Sequence, residues 1–230
     1  MDEIRVAPLT GIPEVEAGAD LPALLGDALE RLGGLRRGDV VVVAHKVVSK
    51  AEGRVEASED PLPIVLREAR RVRRRRGAFV IAETVHGFVC ASAGVDRSNT
   101  PVEGTVVLLP LDPDASAARL RDAFADRFGV APAVIVSDSF GRAWRVGTTD
   151  VAIGVAGMRP VLDLRGGRDG RGRPLEATVI AVADELAGAA ELVMGKAARV
   201  PAALVRGYAA PAGDGAAREL VMPRDRDLFP

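Results

Sequence analysis

Between Ala133 and Gly147 the chain reads AVIVSDSFGRAWRVG, and this stretch constrains the fold more than any other. Its apolar run has the length and continuity of a buried strand, and it leads directly into Asp138 and Ser139. A carboxylate and a hydroxyl at a strand end, followed by Gly141, Arg142 and Arg145, make a candidate seat for a metal-bound phosphate. The strand fixes two oxygens, the glycine admits close backbone approach, and the guanidinium groups fork onto phosphate oxygens. A strand-end Asp also serves as an ordinary cap of the next turn, so this segment needs support from others.

A second segment, CASAGVDRSNTPVEG from Cys90 to Gly104, ends a short apolar run in Asp96, Ser98 and Asn99. Alone it reads as an Asx-turn. Two strand exits that each offer a hard oxygen ligand suit Mg2+ or Mn2+, which take carboxylates together with phosphate oxygens. The third segment follows the apolar run Val40 to Ala44, where HKVVSKAEGR places Lys46 and Lys50 just beyond a strand. Lysines there are ordinarily solvated, but they also meet nucleotide phosphates as point charges. Neither a P-loop spacing nor a GxGxxG turn accompanies them, so the two common nucleotide folds are not supported.

Composition narrows the class. With 230 residues, 48% of them hydrophobic and 27% charged, the chain buries a full core. No apolar run approaches the roughly 20 residues of a membrane helix, and MDEIRVAPLTG lacks the marks of a signal peptide, so a cytoplasmic protein without membrane contact is expected. The single cysteine, Cys90, excludes an internal disulfide, and two histidines, His45 and His86, are too few for a zinc site. A formal net charge of −1 argues against duplex binding, and no nucleic-acid partner is expected. The local exception is Arg70, Arg71, Arg73, Arg74, Arg75 and Arg76, read as a solvated helix end or as a dock for an anionic partner.

Strands and helices alternate along the chain. Strands are expected at Ile4 to Val6, Val40 to Ala44, Ala78 to Ala82, Phe88 to Ala91, Thr105 to Leu109, from Val134, at Thr149 to Val155 and at Ala202 to Val205. Helices are expected at Ala19 to Leu32, capped by Asp20 and closed by Gly33 and Gly34, at Pro63 to Arg75, from Asp114 as cap to Phe128, and at Val182 to Met194. The segment Arg165 to Pro174 is a polar, glycine-rich loop, either a lid over a ligand or a free loop. No repeat period points to a solenoid.

Five segments together resemble the coenzyme F420-0:L-glutamate ligases, a family that includes the N-terminal ligase domain of the bifunctional actinobacterial enzyme. They are VVSKAEGR (Val47 to Arg54), AGVDRSN (Ala93 to Asn99), LLPLDPDASA (Leu108 to Ala117), SDSFGRAWRVG (Ser137 to Gly147) and VADELAGAAELVMGK (Val182 to Lys196). They follow the family's order and span nearly the whole chain. The resemblance implies an α+β fold with a mixed sheet of the family's own type, residues 1–230 forming one ligase unit, and an intertwined homodimer. It implies a ligase using GTP as co-substrate and Mg2+ or Mn2+, with K+ as a further cation, that adds L-glutamate and then further γ-linked glutamates to coenzyme F420-0 through an acyl phosphate. Carried over by motif, Asp96 and Asp138 are ligands of one metal and Ser139 of a second. Lys50, His45 and Asn99 are nucleotide contacts, and Ile12, Pro13, Glu14 and Val15 form the first nucleotide-binding turn. Asp96, Asp138 and Lys50 carry the chemistry.

The departures are specific. Ser139 stands where many relatives have Thr, which keeps the hydroxyl; His45 stands where a small hydroxyl residue is common; Lys196 stands where archaeal members supply an acidic or amide ligand. A protonated lysine cannot ligate a metal. No flavin-binding domain follows, so no redox activity is expected. Two other readings stay open: a ligase of the same family with a different acceptor, and a polyanion-binding module built on Arg70 to Arg76.

Overall fold

The computed structural model describes residues 3–100 and 102–228. Met1, Asp2, Pro101, Phe229 and Pro230 lie outside the described residues, and with them the first positions of the N-terminal reading, one position of the 90–104 segment and the last residues of the chain. In order, the elements are β1 (Arg5–Pro8), α1 (Leu21–Arg31), β2 (Val40–Ala44), α2 (His45–Ala51), β3 (Val55–Ala57), α3 (Leu62–Glu68), β4 (Ala69–Arg76), β5 (Phe79–Thr84), β6 (Val89–Ala91), β7 (Thr105–Val107), α4 (Pro113–Phe128), β8 (Ala133–Arg142), β9 (Arg145–Ala156), β10 (Leu162–Asp163), β11 (Val179–Ile180), α5 (Val182–Met194) and β12 (Ala202–Arg206). The architecture is α+β with a mixed sheet, as expected. No helix among the described residues is long and apolar enough to cross a membrane.

The main sheet has the order β1-β12-β2-β8-β9. Only β2 and β8 run parallel; every other neighbour pair is antiparallel. All of Val40 to Val43 and Ala133 to Ser137 are buried, which explains why both read as unbroken apolar runs rather than alternating ones: helices cover the sheet on both faces. Helices α4 and α5 lie against β9, and α1 packs on α4. Gly154 makes the α4 contact possible. A Cβ there would sit 2.3 Å from the Pro113 carbonyl oxygen, so only glycine lets the first turn of α4 approach β9 this closely. A second, smaller core of Ile64, Val65, Val80, Ala82, Ala93, Val95, Val106 and Leu108 lies away from the main one.

Several expectations are corrected. The helix expected over Pro63 to Arg75 ends at Glu68, and the arginines belong to β4. Leu66, Ala69 and Val72 continue a helical spacing, but Leu66 and Val72 remain exposed, whereas pairing with β5 costs β4 only two register shifts and supports Val80 and Ala82, both fully buried. The arginines are therefore not a helix end, and they are not uniformly solvated. Arg73 turns inward to Glu83 at 3.4 Å and to Asp227 at 3.5 Å, and Glu83 also accepts from Arg224 at 2.8 Å. The Arg224 bond, aided by the nearby Arg73 and Arg70 charges, outweighs burial and holds the Glu83 carboxyl below the usual range. The cap of α4 is Asp112, whose side chain accepts from Ala115 N at 2.9 Å. Asp114 instead accepts from Val155 N and Ala217 N, tying α4 to β9 and to the C-terminal segment. Asp20 does cap α1, accepting from Ala23 N at 3.0 Å. The first strand is Arg5–Pro8 rather than Ile4 to Val6, and the strand expected to stop before Asp138 continues to Arg142, pairing with β9 around a tight turn.

Because of its clash with the Pro113 carbonyl, Gly154→Ala is expected to cost about 1–3 kcal/mol or more. Chemical denaturation measures it, and a midpoint equal to that of the parent protein would refute the close approach of α4.

Candidate active site

The parallel pairing of β2 and β8 stops at Ala44 and Ser137, yet β8 runs on as half of a hairpin with β9. At the same end β12 begins, and β1 leads into the Ile12–Val15 segment. A cleft of about 580 Å³ opens where the strands part company, as open sheets with parallel strands commonly arrange at strand carboxyl ends. Its lining includes Ile12, Pro13, Glu14, Val15, His45, Lys50, Asn99, Asp138 and Ser139. One surface thus brings together nine of the ten residues singled out from sequence. The tenth, Asp96, does not line the cleft but is held by a residue that does. Lys46 Nζ lies 2.7 Å from Asp96 Oδ2 and donates to the Ser98 carbonyl at 3.1 Å and hydroxyl at 2.5 Å.

Helix α2, which directly follows β2, supplies two adjacent rows. His45 and Ser49 lie one turn apart and are buried, with His45 Nδ1 3.3 Å from Ser49 Oγ. Lys46 and Lys50 form the second row, and both reach the cleft. Gly53, in the left-handed region at φ 70°, closes the helix: its N–H donates to the Lys50 carbonyl and that of Arg54 to the Ser49 carbonyl. Lys50 is 5% exposed and pairs with the largely exposed Glu14, so a buried ammonium is held by a partner that solvent satisfies if the pair opens.

On the opposite wall, Asp138 Oδ1 accepts from Ser139 N at 2.7 Å and lies 3.3 Å from His45 Nε2, a buried nitrogen with no hydrogen-bond partner. Ser137 and Ser139 project from the other face of β8, as residues two apart in a strand must. Both donate to Asp150 on β9, at 2.9 and 2.6 Å. Glu191 from α5 completes this wall. Burial and the Asp150 charge raise its carboxyl pKa, against the lowering influence of Lys196. Asn99, whose φ of 53° suits Asn better than most residues, donates from its side chain to the Lys196 carbonyl at 3.1 Å and ties the Asp96 loop to the segment after α5.

Sequence reasoning missed Asp150, Glu191 and the contribution of Ser137. Asp150 fell inside an expected strand, and a signal for it existed: a tight turn at Ala143 and Trp144 sets Asp150 opposite Ser139. The loop Arg165 to Pro174, considered as a lid, does not line the cleft; it is folded on itself by Asp169 accepting from Arg171 N and Arg173 N. Arg142 and Arg145, read as part of a phosphate seat, lie on the exposed end of the hairpin and do not line the cleft either. Burial, then the Asp138 charge, push the Cys90 thiol up to about 12, with only the Gly94 amide opposing.

The wall fits a hard cation by its chemistry. Asp138, Asp150 and Glu191 face one cleft, and among the described residues Asp150 has no ion-pair partner. No group of three or more His, Cys, Asp and Glu is gathered as a ready metal cage among those residues, so an ion held here would need hydroxyl, phosphate or water oxygens as well.

The cleft opens at the strand ends of an α+β scaffold, and comparison with known proteins defines the class. The pattern of the F420-0:Gamma-glutamyl ligase family matches residues 11–207, and the chain belongs to that family. It is 41% identical to the coenzyme F420:L-glutamate ligase of Methanothermobacter thermautotrophicus, over 98% of each chain. It is 40% identical to that of Methanopyrus kandleri, over 98% of this chain and 97% of the relative, and 36% identical to that of Methanocaldococcus jannaschii, over 92% and 95%.

The Asp96–Lys46 pair makes a pH prediction. Burial raises the Asp96 carboxyl, but the Lys46 bond and the Ser98 amide outweigh it and hold its pKa below the usual value. A depressed carboxyl stabilises the fold above its unfolded pKa, and that stabilisation is lost as pH falls through the folded pKa. In Lys46→Met, Asp96 is expected to titrate at higher pH, and the acid loss of stability to begin earlier. Carbon NMR of the Asp96 carboxyl measures this; an unmoved midpoint would refute the pairing.

Proposed function

We propose that this chain joins L-glutamate to coenzyme F420-0 in an amide bond at the expense of GTP, with Mg2+ or Mn2+, and K+ as a further cation, and then adds further glutamates by γ-linkage. The single observation that carries the reading is the cleft itself. It sets Lys46, Lys50, Lys196 and Arg199 around a space of about 580 Å³ whose other wall carries Asp138, Ser139, Asp150 and Glu191. Near-full-length similarity to F420:L-glutamate ligases names the substrates.

The reaction follows from the charges that must meet. An F420-0 carboxylate oxygen attacks the γ-phosphorus of GTP, the bond to the β-phosphate oxygen breaks, and GDP leaves an acyl phosphate. The glutamate amine then attacks the acyl carbon, phosphate departs, and the amine's surplus proton is released. Two anions approach in the first step, so the barrier is largely electrostatic. Lys50, fixed by Glu14, meets the triphosphate as a buried cation. The Ile12–Val15 segment forms the cleft wall beside it, and His45 and Asn99 hold the adjoining edges. Asp96 and Asp138 would hold one divalent ion and Ser139 would ligate a second, and such ions supply charge neutralisation of phosphate oxygens. Lys46 occupies the oxygen cage of Asp96 and Ser98, so Asp96 would hold an ion only with its bond to the Lys46 ammonium released. Lys196 replaces part of an ion's charge where archaeal relatives carry a ligand. An intertwined homodimer is part of the proposal, since β4 is an unpaired sheet edge and Val72, Phe79 and Val89 on the β4-β5-β6 sheet are exposed. A different acceptor remains the second reading, and GTP cleavage across a panel of carboxylate acceptors separates it.

Asp138→Asn removes one charge at constant shape and is expected to abolish GTP-dependent ligation at saturating Mn2+, with melting temperature unchanged or higher because carboxylate repulsion is relieved. Full activity would refute the role of Asp138. Lys50→Ala, which removes a charge-assisted bond, is expected to weaken GDP binding about ten- to a hundredfold by calorimetry. Unchanged affinity would return Lys50 to a purely structural pair with Glu14.

A further inference from the structure

Asp150 is placed by register rather than by any loop. On the β8–β9 hairpin its Cα partner is Ser139, and Ser137 is the diagonal neighbour on the same face. One extra residue of β9, Ile153, separates the partners of Val136 and Ser137, so a bulge sits at the base of this patch, where it re-aims the strand. Asp150 is 4% exposed and Ser137 fully buried. Each carboxylate oxygen has its own donor: Oδ1 takes the Ser139 hydroxyl at 2.6 Å and Oδ2 the Ser137 hydroxyl at 2.9 Å.

The proton count has a consequence. A carboxylate only accepts, and a serine hydroxyl has one proton and two lone pairs. Once Ser139 has given its proton to Asp150, what it presents elsewhere is acceptor only, and it lines the cleft. A hydroxyl free to rotate would spend part of its time with the proton towards the cleft, where it could not ligate through that direction. Ser137 serves the same frame from the buried side, pinning the second carboxylate oxygen so that Asp150 cannot swing.

We propose that Asp150 is a positioning residue that holds the Ser139 hydroxyl as a pure acceptor towards the cleft, and so prepares Ser139 to ligate a divalent cation. This rests on the reading of Ser139 as a cation ligand given above. Asp150 acts through Ser139 in this arrangement, since each of its oxygens is turned to a serine hydroxyl of β8. The hydroxyl is the common requirement, so Ser139→Thr should keep the arrangement.

The test is a double-mutant cycle read by electron paramagnetic resonance of free Mn2+, with Mn2+ alone as probe and no turnover involved. Ser139→Ala and Asp150→Ala are each expected to weaken Mn2+ binding about tenfold, and the double variant no more than about twofold beyond either, the non-additivity of residues acting as one unit. Asp150→Asn preserves volume if Asp150→Ala does not fold, and the same cycle applies, since the amide NH2 that replaces one carboxylate oxygen cannot accept a hydroxyl proton. Multiplying effects in the double variant would show Asp150 acting on the ion independently and overturn the inference. So would unchanged Mn2+ binding in Asp150→Ala or Asp150→Asn beside a loss in Ser139→Ala, an outcome that leaves the cation reading intact. Unchanged binding in Ser139→Ala would overturn that reading and this inference together.

Discussion

The structure depends on where two strands stop pairing. Strands β2 and β8 share backbone hydrogen bonds from Val40 and Ala133 to Ala44 and Ser137, and there the parallel ladder ends. Up to that point every side chain is buried and apolar or satisfied within the sheet. Beyond it, β2 turns into α2 and β8 continues with β9 alone, so the polar residues that follow each run face a common opening. Fully buried strands tolerate no unpaired charge, and the chain therefore places its first carboxylate and its lysines just past the last buried residues. The cleft follows from that termination.

Both signs of charge line the opening, Lys46, Lys50 and Lys196 together with Asp138, Asp150 and Glu191. Half-buried Lys46 is paired with Asp96 and buried Lys50 with Glu14, whereas Asp150 is held by hydroxyls. An anionic ligand carrying its own cation matches both signs at once. That is the electrostatic ground on which the proposed function pairs a nucleotide with a divalent ion.

Much of this was legible in the sequence. The apolar runs at Val40 and Ala133 announced the buried pair, Asp20 announced α1, and the family resemblance led to nine residues that share the cleft. What escaped was set by tertiary context. The arginines after Glu68 look like a helix continuation because Val65, Ala69 and Val72 keep a helical spacing, and only the pairing with β5 decides for a strand. Asp114 resembles a cap as well as Asp112 does, and its longer-range bonds to Val155 and Ala217 have no local signature. Asp150 required a hairpin register, which depends on knowing that β8 does not stop at Asp138. The Lys46–Asp96 pair joins residues fifty positions apart in sequence, and no spacing rule reaches that far.

The central claim is that this cleft couples GTP cleavage to amide formation between coenzyme F420-0 and L-glutamate. It is tested most directly by incubating the protein with GTP, Mn2+, F420-0 and isotopically labelled L-glutamate, following the product by mass spectrometry and the nucleotide by chromatography. The account predicts a product heavier by one labelled glutamyl residue, formed with one GDP and one phosphate per bond and absent without GTP or after chelation of the metal. Labelled product forming at an undiminished rate without GTP, or GTP cleavage that proceeds with F420-0 and glutamate present yet yields no conjugate, would contradict it.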